Sequence, residues 1–138
     1  MSNAVPVLEG LFSWPNKKPA LQVTHCRQCL VVAFPRVEYC PSCASSDVEF
    51  RQLESIGKLR NFTSVLMRPP EYKGEVPYGV GIVEFPEGIC ILGLLTVSDL
   101  GSLRPGMNME VVVETVYKED GNDIVSYKFH PSQEAGHA

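Results

Sequence analysis

No run of this 138-residue chain approaches the roughly 18 consecutive apolar residues that a membrane-spanning helix needs, so a helical membrane protein is not expected. The start, Met1 to Leu8, lacks the basic-then-apolar order of a secretory signal, and a cytoplasmic location is the expectation. Positive charge is not in surplus either. Lys and Arg total 12 against 16 Asp and Glu, a net charge of -4, which argues against a dedicated nucleic-acid binder because neutralising phosphates takes clustered cations. The GxSxG, Walker-type, HExxH and paired-carboxylate patterns are all missing, so no team of acid, base and nucleophile can be assembled. The chain therefore does not read as an independent enzyme. Internal repeats, heptads and low-complexity tracts are absent as well.

What is present is an ordinary globular composition, 44% apolar and 20% charged. The length suits one compact domain, or a small metal module attached to a modest barrel.

The chemistry concentrates in four of the five cysteines. Cys26-Arg27-Gln28-Cys29 and Cys40-Pro41-Ser42-Cys43 are two CxxC units separated by ten residues. Each unit turns tightly enough to aim two thiolates at one point, and a hairpin through Leu30-Val31-Val32-Ala33-Phe34 brings the two points together. In a reducing compartment such pairs bind metal rather than form disulfides. Four thiolates close a tetrahedron with no open position, so the expected cofactor is one structural zinc ion per chain. Iron in a redox site and a disulfide pair are the alternatives left open. Leu30 and Ala44 follow the two pairs, at positions where such knuckles favour glycine because the backbone takes positive φ.

From Glu54 onward the pattern is strand-like: Ile56 to Met67, Tyr78 to Phe85, Ile89 to Val97, Met109 to Tyr117 and Ile124 to His130. Pro86-Glu87-Gly88 joins the second and third as an antiparallel hairpin, and Glu119-Asp120-Gly121-Asn122-Asp123 turns the chain into the fifth. The nearly unbroken apolar stretch Ile89 to Leu95 predicts a strand covered on both faces, with Cys90 packed inside as a small hydrophobe. Ser98 to Leu103 can cap one helical turn before Arg104-Pro105-Gly106, and Gly57, Gly79, Gly81 and Gly93 mark bulges or corners. The expected fold is all-β: an N-terminal zinc ribbon followed by a five-stranded OB-fold barrel, with a short N-terminal helical segment. The expected boundaries are 1–21 for that segment, 22–50 for the ribbon, 51–131 for the barrel and 132–138 for a disordered tail.

Lys58, Arg60, Arg68 and Lys73 form the densest cationic segment, diluted by Glu54, Glu71 and Glu75. Beside a barrel groove, Lys58, Arg60 and Arg68 are candidates for contacting phosphates, although a solvated edge is the commoner role for such a segment. Tyr72 and Tyr78, among Pro69-Pro70 and Pro77, mark a stiff loop suited to partner contact or to capping the barrel. His25 adjoins a complete ligand set and is expected beside it rather than in it. His130 and His137 are expected to face solvent.

The order of these elements resembles a known family: acyl-CoA-associated OB-fold proteins with an N-terminal rubredoxin-like zinc ribbon, long called a domain of unknown function. The resemblance spans Leu21 to Pro131 and is carried by both CxxC units, Phe34-Pro35-Arg36, Gly57-Lys58-Leu59, Phe62-Thr63-Ser64-Val65, Pro77-Tyr78, Val83 to Gly88 and Leu103 to Met107. It implies a non-catalytic accessory subunit bound to a thiolase-like or hydratase-like enzyme that acts on acyl-CoA thioesters in lipid, steroid or isoprenoid metabolism. Binding of CoA or acyl-CoA by this chain, and a homodimer when it is isolated, are further expectations of that reading. Residue by residue it carries over only the four ligands. A single-stranded nucleic-acid-binding module is the alternative, since ribbons and OB barrels both serve that end, and a free-standing acyl-CoA enzyme such as a hydrolase is a third.

Overall fold

A computed structural model describes residues 4–7, 10–13, 19–70, 76–97 and 100–132. The described residues form ten strands: β1 (Ala4–Pro6), β2 (Phe12–Ser13), β3 (Ala20–Cys26), β4 (Val32–Ala33), β5 (Val48–Gln52), β6 (Ile56–Val65), β7 (Tyr78–Glu84), β8 (Cys90–Leu94), β9 (Asn108–Glu119) and β10 (Asn122–Pro131). The architecture is all-β, as expected, with a 3-10 turn at Leu100–Ser102 between β8 and β9.

The barrel sheet runs β1-β10-β9-β6-β7-β8. Alternation dictates its inner face. Leu59, Val83, Ile91, Met109, Val111 and Phe129 are buried, while exposed Lys58 and Arg60 flank Leu59 on the other side of the pleat. The last hairpin turns on Asp120 and Gly121, with φ of 53° and 80°, the pair of left-handed residues that a two-residue turn needs to match strand twist. At the seam, Leu95 bridges Phe129 in parallel and the Thr96 N–H donates to the Phe129 carbonyl at 3.0 Å. That contact curls the sheet toward closure. Gly93 sits against the same ring, where a Cβ would lie 2.7 Å from Phe129 Cε2.

The ribbon is built on β3, which pairs antiparallel with β2, β4 and β5. Leu21 and Val23 on β3 and Leu53 just after β5 join the same buried cluster as Leu59, Met109 and Phe129, so ribbon base and barrel share one core. Phe34 meets the Tyr127 ring edge-on at 5.8 Å and ties the ribbon to β10.

Three expectations are corrected. The N-terminal segment forms strands where described, β1 parallel to β10 and β2 against β3, because unpaired strand edges were available to it; a helical turn is not found among the described residues of that segment. β8 is not covered on both faces. Ile91 and Leu95 point inward, whereas Leu92 is 62% exposed and Cys90 is exposed, because no described strand packs as a second layer on that face. Ser132, assigned to the tail, is anchored by its N–H donating to the Asn108 carbonyl at 2.9 Å, while 133–138 lie outside the described residues.

Candidate metal centre

Cys26 ends β3, and Cys29 closes the turn that follows it; Cys40 and Cys43 repeat that arrangement before β5. In each unit the first cysteine is buried and the second exposed. The Leu30 N–H donates to the Cys26 carbonyl at 2.9 Å and the Ala44 N–H to the Cys40 carbonyl at 2.8 Å, which shuts each knuckle. The first sulfur accepts backbone donors in turn: Gln28 and Cys29 N–H reach Cys26 Sγ at 3.3 and 3.4 Å, and Ser42 and Cys43 N–H reach Cys40 Sγ at the same two distances.

All four sulfurs lie within 4.8 Å of one another, with Cys26 to Cys43 at 3.6 Å and Cys29 to Cys40 at 3.5 Å. The edge of a tetrahedron with metal–sulfur bonds of about 2.3 Å is about 3.8 Å, so the donor set fits a tetrathiolate around one metal ion. The Cys43 N–H, foremost, draws the Cys40 thiol down to about 6, and the Cys29 N–H lowers Cys26 likewise. The Val31 N–H works to lower Cys29, but burial and the neighbouring sulfurs outweigh it and push that thiol up to about 12. Cys43 is raised by burial and by Cys26 against the pull of the Ser45 N–H. The backbone donors thus make the first cysteine of each pair the more readily ionised, and a divalent cation lets all four ionise.

Leu30 and Ala44 take φ of 67° and 65°, the left-handed conformation foreseen at these positions. An L residue there costs on the order of 1 kcal/mol. Leu30 is 66% exposed and has little packing to lose. Leu30→Gly is therefore expected to stabilise the metal-loaded protein by roughly 0.5 kcal/mol once the extra freedom of glycine in the unfolded chain is set against the relieved strain, read as a rise in Tm.

A charged network braces the first knuckle. Arg27 Nη1 donates to Asp47 Oδ1 at 2.8 Å, Gln28 Nε2 to Asp47 Oδ2 at 3.2 Å, and the Arg27 N–H to the Asp47 carbonyl at 3.0 Å. Hydrogen bonding from Arg27 holds the Asp47 carboxyl below its usual range. Glu49 meets Arg51, Arg27 and His25, whose Nδ1 lies 3.2 Å from Glu49 Oε1; His25 thus stands beside the ligand set. On the opposite side of the ribbon Thr24, the one buried polar residue among those described, has its hydroxyl donating to the Val37 carbonyl and accepting from the Val37 N–H, both at 2.7 Å. That lock had no sequence signal beyond a hydroxyl in an apolar strand.

Lys58 and Arg60 share one face of β6, and Arg68 lies outside the strand. Lys58 and Arg60 are exposed on β6, where Arg60 Nε donates to Glu84 Oε1 at 2.6 Å. Arg68 is exposed three residues beyond the end of the strand, which runs roughly 23 Å from Lys58 to Val65 at about 3.3 Å per residue. Lys73, Tyr72 and His137 lie outside the described residues. Exposed His130 presents Nδ1 to Thr96 Oγ1 at 2.7 Å. The outer face of β7 and β8 is unexpectedly aliphatic: two shallow grooves of 100 and 210 Å³ share Val80 and Leu92.

Residues 50–114 match the family described as the ChsH2 C-terminal OB-fold domain. A DUF35 domain-containing scaffold protein of Methanocaldococcus jannaschii is 34% identical over 86% of this chain and 88% of the relative. The benzoylsuccinyl-CoA thiolase subunit BbsA of Thauera aromatica is 32% identical over 83% of this chain and 78% of that subunit. Among solved structures, a chain of the Ltp2-ChsH2(DUF35) aldolase superposes with a TM-score of 0.62 at 22% identity, covering 81% of this chain and 84% of that one, a likeness of fold.

Proposed function

Because the chain belongs to the DUF35 family of OB-fold scaffold proteins, we propose that it is a non-catalytic accessory subunit of a thiolase-like or hydratase-like enzyme acting on acyl-CoA thioesters. The observation that carries this reading is the likeness, over most of its length, to a protein named as a thiolase subunit. The metal in the ribbon is zinc, in a structural role: four thiolates in a closed set leave no position for water or substrate, and the spacing suits a tetrahedral ion. The chain stabilises its partner or channels an intermediate, and in lipid, steroid or isoprenoid metabolism the acyl group would be the partner's substrate.

Lys58, Arg60 and Arg68 are the cationic candidates for CoA phosphates. Lys58 and Arg60 stand side by side on the exposed face of β6, where Arg60 is already paired with Glu84, and Arg68 lies beyond the strand's end. The nucleic-acid reading draws little support from the grooves over β7 and β8, which hold one ring each, Phe62 and Tyr127, among aliphatic residues and no lining Lys or Arg where a single-strand binder needs cations beside its stacking rings.

A test on the isolated chain separates the three readings. The purified protein is expected to leave acyl-CoA thioesters intact and to show no salt-sensitive retention of a single-stranded oligonucleotide. Thioester turnover that follows the chain through purification would establish an enzyme instead. Oligonucleotide binding that weakens steeply with salt would establish the nucleic-acid module.

A further inference from the structure

We propose that the cysteine cluster is a peroxide-sensitive switch in which oxidation expels zinc and replaces it with two disulfides across the knuckles, Cys26–Cys43 and Cys29–Cys40. The inference rests on the zinc assignment above and is independent of the partner. Its geometric basis is the division of the four ligands. Cys29 and Cys43 are exposed and open to a small oxidant, whereas Cys26 and Cys40 are buried and each accepts two backbone N–H donors. The sulfur contacts at 3.6 and 3.5 Å each join the buried cysteine of one knuckle to the exposed cysteine of the other.

An exposed thiolate attacks a peroxide oxygen, the O–O bond breaks, and with one proton taken up the products are a sulfenic acid and water. The buried thiolate 3.5 or 3.6 Å away then attacks that sulfur; the S–S bond forms, the S–O bond breaks and, with a second proton, water leaves. For the whole site, four zinc-bound thiolates, two hydrogen peroxide molecules and four protons give two disulfides, one free zinc ion and four waters, the four electrons passing from sulfur to peroxide oxygen. Because both bonds span the knuckles, they pin β3 to the chain before β5 as the metal did. Oxidation then exchanges one cross-link for another and leaves the ribbon folded, a state that reduction and zinc reverse.

The test uses the full-length zinc-loaded protein carrying Cys90→Ser, which removes the remaining exposed thiol. Zinc is quantified before any oxidant is added, so failure of the zinc assignment shows separately from failure of the switch. Hydrogen peroxide is expected to release the zinc, with loss of all four thiols and retention of β-structure by circular dichroism. Trypsin cuts after Arg27, Arg36 and Arg51, so without reductant the cross-knuckle bonds hold three peptides in one species: the one ending in Arg27, 28–36 and 37–51. Fragmentation between Cys40 and Cys43 assigns the partners. Bonds within the knuckles would leave 37–51 alone with an internal disulfide and would overturn the proposal. So would Cys26–Cys40 pairing, or zinc that stays bound while only sulfenic acid forms.

Discussion

Cys40→Ser is expected to abolish metal retention and to unfold the ribbon from Cys26 to Val48 while the barrel strands stay formed. Cys40 is 1% exposed, and its sulfur accepts N–H bonds from Ser42 and Cys43. A hydroxyl neither ionises nor binds zinc comparably, so the tetrahedron loses a corner that water cannot reach to replace. Structural zinc supplies apparent free energies of about 10–16 kcal/mol in small metal-folded peptides, and a segment of this length has no hydrophobic core of its own to substitute. The base of the ribbon differs, because Leu21, Val23 and Leu53 are buried against the barrel. Hydrogen exchange measures the division: amides bonded within the knuckles, such as those of Cys26 and Cys40, should lose protection, and those of β6, β7, β9 and β10 should keep it. A ribbon protected without metal would show that zinc is not structural. Acid should act in the same direction as the substitution, because protons compete with metal for every thiolate. Stability contributed by the ion is present at neutral pH and lost as pH falls.

Phe129→Ala is expected to cost about 3–5 kcal/mol, a fall in Tm of about 10–20 °C. Phe129 is 0% exposed and lies between the Phe85 ring, 6.1 Å away, and the Tyr127 ring, 5.7 Å away. Its carbonyl accepts the Thr96 N–H at the point where the sheet curls onto itself, and Gly93 leaves room for its ring. Removing the ring opens a cavity at the seam that rigid strands cannot fill by collapse. Leu92→Ala, on the uncovered face of the neighbouring strand, should change stability by no more than about 0.5 kcal/mol. Equal effects in thermal unfolding would contradict the assignment of inner and outer faces.

The contrast between those two residues marks where the sequence was legible. Close thiolate pairs announce a cluster because chemistry fixes their spacing, and even the left-handed backbone at Leu30 and Ala44 followed from knuckle geometry. The five barrel strands were readable because alternation and turn residues are local signals, as Asp120-Gly121 illustrates. Ile89 to Leu95 misled because an unbroken apolar run looks the same whether one face or both are covered; only the folded chain shows that Leu92 and Cys90 are left exposed by the described residues. The short strands β1 and β2 were invisible for a related reason. Two or three residues carry no periodicity, and their partners β10 and β3 are supplied by the fold. Charge gave the weakest guidance: Lys58 and Arg60 share the exposed face of β6, but Arg60 is paired with Glu84 and Arg68 lies beyond the strand's end, neither of which the sequence announces.

The accessory-subunit account is tested most directly by purifying a tagged copy of this chain from cells that hold its native partners, identifying the bound proteins by mass spectrometry and quantifying zinc in the same sample. The account predicts a thiolase-like or hydratase-like enzyme together with about one zinc per chain. Recovery of nucleic acid with no acyl-CoA enzyme would contradict it.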